Sequence, residues 1–83
     1  MAKLRRLNGK EILDILETLG FEVRRITGSH HHLQWKQADM TCRTSVPVHG
    51  SKALATGTLK SIYRQISPCI PEDELKPYFY TDD

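Results

Sequence analysis

The chain has 83 residues, 39% hydrophobic and 27% charged, with a formal net charge of +2. This length suits one small soluble domain, and no run approaches the roughly 18 apolar residues that a membrane-spanning helix needs. The N-terminus lacks the apolar stretch of a secretory signal, so we expect a cytoplasmic protein whose two cysteines, Cys42 and Cys69, are reduced and buried.

The first predicted element is an amphipathic helix over residues 9–19. Asn8 suits the N-cap position, and Glu11 stands three residues later, where it completes a capping box. One apolar stripe recurs at the helical period and consists of Ile12, Ile15, Leu16 and Leu19. Gly20 follows the stripe, and we expect it to end the helix in the left-handed conformation.

Three strand candidates follow, over residues 21–27, 30–36 and 41–48. The alternation of apolar and polar residues in the first slips at Arg25-Ile26, which predicts a bulge or the end of the strand. Gly28-Ser29 and the polar residues 37–40 are expected to form the two turns. Pro47 cannot donate to a neighbouring strand, so the third strand lies at an edge or ends there. Its apolar face consists of Cys42, Thr44, Val46 and Val48.

Three of the four histidines occur in a row directly after the Gly28-Ser29 turn. Because side chains alternate along a strand, His31 shares a face with the apolar Leu33 and Trp35. His30 and His32 fall on the opposite face, which has no apolar member. Imidazole is the side chain that exchanges protons most readily near neutral pH. We therefore expect His31 to be packed, and His30 and His32 to meet water or a ligand.

A second helix follows the loop after the third strand. Thr56-Gly57-Thr58 offers a cap, and the apolar stripe consists of Leu59, Ile62, Tyr63 and Ile66. Lys60 and Arg64 lie four residues apart and share a basic face of this helix. Beyond it we expect a short helical turn over residues 72–75. The aromatic run Pro77-Tyr78-Phe79-Tyr80 then packs back on the body or awaits a partner.

The order helix, three strands, helix predicts an α+β fold. We expect a three-stranded antiparallel sheet with both helices on one face and the other face open to solvent or ligand. Residues 1–83 are interpreted as a single domain, with a core over residues 8–67 and an acidic, aromatic extension over residues 68–83.

The charge of the chain is unevenly distributed. Residues 1–70 contain 11 Lys and Arg against 5 Asp and Glu, whereas residues 71–83 contain Lys76 against five acidic residues. A basic body favours a polyanionic partner, nucleic acid first. Ordinary solvated surface charge explains the same pattern equally well.

Four fragments together resemble a known family. They are Leu19-Gly20-Phe21, Gly28-Ser29-His30-His31, Val46-Pro47-Val48-His49-Gly50 and Gly57-Thr58-Leu59-Lys60-Ser61-Ile62. In this order and spacing they are similar to the HicA toxins, the YcfA-like mRNA interferases of HicAB toxin–antitoxin modules. The similarity covers residues 8–67. It implies the fold of double-stranded-RNA-binding domains, α-β-β-β-α, which agrees with the order of elements expected above.

The resemblance also implies an activity and a partner. The family cleaves mRNA without a metal or other cofactor, using the histidine of its Gly-Ser-His motif. By position that residue is His30, with Gly28 and Ser29 as the supporting turn. The implied partner is a HicB-like antitoxin that covers the site. The extension over residues 68–83 has no counterpart in the family core.

Metal-free RNA cleavage requires the ribose 2′-hydroxyl to attack the adjacent phosphate. His30 suits the proton transfer, as general base or acid. Three cations, Lys36, Lys60 and Arg64, are candidates for binding RNA and stabilising the charge of the transition state. His49 is a further RNA-binding candidate and a candidate for a second role in proton transfer; the alternative is a loop histidine held by hydrogen bonds.

Two other interpretations stay open. His30, His32 and His49 together would provide three metal ligands, although neither cysteine has zinc-site spacing and no carboxylate is close in sequence. The same fold also suits a non-catalytic module that binds RNA or a protein partner. RNA cleavage in the presence of a chelator distinguishes the metal-free nuclease from both.

Overall fold

The computed structural model describes residues 2–82, and the terminal residues Met1 and Asp83 lie outside the described part. Its elements in order are β1 (Ala2–Leu4), α1 (Gly9–Thr18), β2 (Glu22–Thr27), β3 (His30–Gln37), β4 (Met40–Pro47), α2 (Thr56–Ile66), α3 (Glu72–Phe79) and β5 (Tyr80–Asp82). The predicted α+β fold and its α-β-β-β-α order are confirmed, and β1, α3 and β5 are added at the two ends. Within residues 2–82 no helix has the length and hydrophobicity needed to cross a membrane.

The central sheet is antiparallel and has the order β2-β3-β4. A two-residue turn at Gly28-Ser29 joins the first pair, with Gly28 at a φ of +60°. The second turn is shorter than the predicted 37–40, because Gln37 already pairs with Met40. The pairing of β2 with β3 shifts between Val23 and Arg25, so the predicted irregularity is a β-bulge.

Helix α1 begins as its sequence predicts. The Asn8 side chain accepts a hydrogen bond from the Glu11 amide at 2.8 Å, and the Glu11 carboxylate accepts one from the Asn8 amide at 2.9 Å. This is the expected capping box. The helix ends at Thr18, one residue earlier than predicted, and Gly20 has the left-handed φ of +102°.

Helix α2 has the predicted apolar stripe but not the predicted cap. Its N-cap residue is Ala55, which has no side chain able to accept a hydrogen bond, so the helix begins at Thr56 without one. Leu59, Ile62 and Ile66 are buried. Tyr63 packs edge-to-face on Phe79 and Tyr80, at centroid distances of 5.2 and 5.6 Å. Burial raises the pKa of the Tyr63 hydroxyl above its usual value, and the Glu72 carboxylate adds to the shift.

The C-terminal extension packs back on the body. The predicted helical turn at 72–75 is longer and continues as α3 to Phe79. Leu75 and Phe79 are fully buried in the same hydrophobic cluster as the two main helices. The chain then returns as β5, which pairs with β1, and the Arg5 amide donates to the Phe79 carbonyl at 2.7 Å.

The expectation that both cysteines are reduced is wrong in this structure. Cys42 and Cys69 form a disulfide across 27 residues of sequence, with their Cα atoms 6.3 Å apart. Both are buried, as expected. The fold brings them together because Cys42 points from β4 towards the core, where the segment after α2 passes.

Both helices pack on one face of the sheet, and α1 approaches the end of β4 very closely. A Cβ atom added at Gly9 would lie 2.8 Å from the Val48 Cα and nearer still to the Pro47 carbonyl oxygen. Only glycine fits this contact without movement of one backbone. Since Pro47 pairs with His30, the contact also supports the start of β3.

We expect Gly9→Ala to lower the free energy of unfolding by about 1–3 kcal/mol, because the methyl group overpacks a backbone contact. The matched control is Gly57→Ala, since no atom lies within 4 Å of a Cβ there and the position is helical. That variant should be unchanged or more stable by up to about 1 kcal/mol. Urea denaturation of both measures the difference, and equal stabilities would contradict the close contact.

Candidate functional site

His30 begins β3 directly after the Gly28-Ser29 turn and is exposed. Its neighbours across the sheet are Thr27 on β2 and Pro47 on β4. Leu33 is only 2% exposed, so the predicted alternation of β3 is confirmed. The turn restricts the backbone on one side of His30 and the two neighbouring strands restrict it laterally.

The sheet surface opposite the helices is called the outer face here. The strand register arranges it in rows across β2, β3 and β4, which are Thr27–His30–Pro47, Arg25–His32–Ser45 and Glu22–Gln34–Arg43. Lys36 and Thr41 continue the face beyond these rows. Apart from Pro47, the outer face is therefore polar, and it carries two histidines beside basic residues.

Arg25 reaches the outer face because of the β-bulge. Strict alternation from Phe21 and Val23 would turn Arg25 towards the core and Ile26 outwards. The extra residue reverses this, so Arg25 pairs with His32 and Ile26 pairs with His31. Sequence reasoning missed Arg25 and Arg43 as site residues. The slip in the pattern at Arg25-Ile26 was the available signal for the first.

A second contact holds the turn from the side of β4. The Ser29 hydroxyl and Nε2 of His49 are hydrogen-bonded at 3.1 Å, and the Val48 amide donates to the Ser29 carbonyl at 2.8 Å. His49 is exposed and lies in the loop after β4. The predicted site residues Gly28, Ser29, His30 and His49 thus come together at one end of the sheet.

The other two histidines differ from His30. His31 faces the core side, and its Nδ1 is enclosed without a hydrogen-bond partner in the described part of the chain. His32 is half-buried on the outer face, and its Nδ1 is hydrogen-bonded to the Ser45 hydroxyl at 2.6 Å. The expectation that the middle histidine is the packed one agrees with this placement.

The three cations predicted to assist do not gather around His30. Lys36 is exposed six residues further along β3, roughly 20 Å away at the usual rise per residue. Lys60 and Arg64 are exposed on α2, which packs on the opposite side of the sheet. The nearest cation by register is Arg25, in the row next to His30.

Residues 2–82 contain no group of three or more His, Cys, Asp and Glu side chains arranged to hold a metal ion. His30 and His32 share a face, but His49 is hydrogen-bonded to Ser29 rather than directed to join them. What the arrangement offers is an exposed imidazole on a rigid turn, beside a basic polar surface. That combination suits proton transfer at an anionic substrate.

Comparison with known proteins gives one match. The profile of the family described as "HicA toxin of bacterial toxin-antitoxin" matches residues 9–67, more than two thirds of the chain. No curated protein and no solved structure matches at a significant level. The matched segment runs from the start of α1 to the end of α2 and includes the turn with His30, in agreement with the resemblance noted over residues 8–67.

The two neighbouring histidines should differ in their effect on stability. We expect His30→Ala to change the free energy of unfolding by less than about 1 kcal/mol, since it removes an exposed side chain. His31→Ala removes packing on the core side and should cost about 1–2 kcal/mol. Denaturation curves of the two variants provide the test, and a larger loss for His30→Ala would contradict the assignment of faces.

Proposed function

The chain belongs to the HicA toxin family of bacterial toxin–antitoxin modules, and on this premise we propose that it is a metal-independent endoribonuclease that cleaves mRNA in the cytoplasm. His30 is its catalytic residue and a HicB-like antitoxin is its inhibitor. The observation that carries the proposal is the position of His30, exposed after the Gly28-Ser29 turn within the matched segment.

The proposed reaction uses the substrate's own nucleophile. The ribose 2′-hydroxyl attacks the adjacent phosphorus, its proton is taken by a base, and the bond to the 5′-oxygen of the next nucleotide breaks. The products are a 2′,3′-cyclic phosphate and a free 5′-hydroxyl. His30 accepts the first proton or donates one to the leaving oxygen, a contribution of roughly 10²–10⁴-fold.

With a single histidine for proton transfer, we expect slow cleavage. Slow cleavage is sufficient for a toxin, because a few cuts inactivate a message. Arg25 is the best candidate to stabilise the negative charge of the transition state. It is the diagonal neighbour of His30 across β2 and β3, and diagonal neighbours on a sheet lie within reach of long side chains. Lys36, Lys60 and Arg64 are too far from His30 to contact the same phosphate, and they remain candidates for binding RNA elsewhere. The bond between Ser29 and His49 favours a positioning role for His49.

The charge of the outer face indicates the chemistry of the proposed partner. A HicB-like antitoxin that covers His30 would meet the basic side chains of the outer face, so we infer that it presents acidic groups there. Val23 and Ile26 on β2 are also exposed, at 36% and 57%, but they pair with Leu33 and His31 on the helix side, so a partner would reach them only by extending around the edge of β2.

We expect His30→Ala to reduce RNA cleavage in EDTA at least 100-fold, because it removes the proton-transfer group. The control is Gln37→Ala, an exposed position at the far end of the same strand, which should keep the parent rate. Cleavage of a labelled RNA by the two variants gives the rates. A parent rate for His30→Ala would rule out the mechanism, and cleavage that stops in EDTA for the parent would rule out a metal-free reaction.

The antitoxin should block cleavage by covering the outer face. We expect the purified partner to form a complex with the protein and to inhibit cleavage at equimolar concentration, and a His30→Ala protein should still bind it. Size-exclusion chromatography and a cleavage assay on the same samples measure both. A stable complex that still cleaves RNA would show that the partner binds elsewhere.

A further inference from the structure

Two rows of the outer face next to the row of His30 bring five polar side chains together, Arg25, His32, Gln34, Arg43 and Ser45. All five border a shallow cavity of about 400 Å³, which Arg24, Leu33, Thr44 and, from α2, Gln65 also line. Thr44 and Gln65 belong to the helix side of the sheet, where the Thr44 hydroxyl donates to the Gln65 side chain at 2.6 Å. The candidate site is therefore defined by the side chains of the two rows and not by the cavity.

The two arginines of these rows are not compensated by a carboxylate. Arg25 on β2 and Arg43 on β4 flank His32 from the two edge strands, and both are exposed. The one ion pair in the described part of the chain joins Arg24 to Glu22 at 3.8 Å, so Arg25 and Arg43 have no carboxylate partner there. Guanidinium groups bind phosphate oxygens through paired hydrogen bonds, which suits them to an anionic ligand.

His32 lies between the two arginines. Its Nδ1 is hydrogen-bonded to the Ser45 hydroxyl, which orients the ring; where the hydroxyl donates this bond, Nε2 carries the proton and donates to a ligand. A side chain held by a second hydrogen bond is pre-organised for binding. Charged residues on edge strands also discourage strand pairing between molecules, but that role requires no oriented imidazole at the centre of the sheet.

We propose that the side chains of Arg25, His32, Arg43 and Ser45 form a histidine–arginine pocket on the outer face that binds the RNA phosphate next to the one that is cleaved. His32 lies two residues after His30 on the same face of β3, about 7 Å along the strand. One phosphate is thus positioned at His30 while its neighbour is held in the pocket. The inference rests on the proposed function, because it names a second contact with the same substrate.

The direct test is the binding of an RNA that cannot be cleaved. A 2′-O-methyl oligoribonucleotide lacks the attacking hydroxyl, so binding is measured separately from chemistry. We expect Arg25→Ala/Arg43→Ala to lower its affinity about tenfold or more at 0.1 M salt. The slope of log affinity against log salt should decrease by about 0.7, the value for one phosphate contact on a single strand. Oligonucleotides of different sequence should lose affinity equally, since phosphates carry no sequence information.

The matched control is Lys10→Ala/Lys76→Ala, which also removes two exposed positive charges, but from α1 and α3. We expect it to keep the salt slope of the parent. If the arginine double variant fails to fold, Arg25→Gln/Arg43→Gln retains much of the side-chain length and should show the same loss. An unchanged slope for the arginine variants, or an equal loss for the control, would overturn the pocket. Variants that lose antitoxin binding but keep the RNA affinity of the parent would also overturn the pocket.

This result is independent of the cleavage assay. A protein that does not cut RNA but loses affinity with Arg25→Ala/Arg43→Ala has the pocket without the proposed activity. A protein that cuts RNA with His30 but binds equally well without the two arginines has the activity without the pocket.

Discussion

The register of β3 between β2 and β4 is the constraint on which the rest of the molecule depends. A shift of one residue would exchange its faces, turning Leu33 to solvent and His30 into the core. The register is set by burial of the apolar residues and by two turns of two residues each. The same backbone hydrogen bonds that build the core therefore also present His30 and His32 on the outer face.

The helices and the extension make this register stable in a small domain. Gly9 lets α1 contact the backbone at the end of β4, beside the partner residue of His30. Leu75 and Phe79 complete the core from the C-terminal side, and β5 ties the chain end to β1. The extension thus supplies buried apolar area that residues 9–67 alone do not provide, which matters because short chains bury a small fraction of their surface.

The two faces of the sheet differ, because the helices pack on the inner face and leave the outer face open to solvent. The inner face is packed along β3 and β4, where Leu33, Cys42 and Val46 are buried, so the backbone under the histidines is held by the core. No helix covers the outer face, so its polar groups are available to the anionic substrate and the acidic inhibitor that we propose. A fixed backbone also positions side chains for catalysis more accurately than a mobile loop. The hydrogen bond between Ser29 and His49 also holds the turn before His30, which lies outside the strands, against the loop after β4.

The sequence alone determined the local features, since they depend on neighbouring residues. These are the capping box of Asn8 and Glu11, the apolar stripes, the alternation that separates His30 from His31, and the family resemblance. Tertiary structure alone decided what depends on residues distant in sequence. It paired Cys42 with Cys69, although composition argued for free thiols, and it folded the aromatic extension onto the core. It also brought Arg25 and Arg43 to either side of His32, because a bulge and the strand register, rather than spacing along the chain, determine which side chains meet across a sheet.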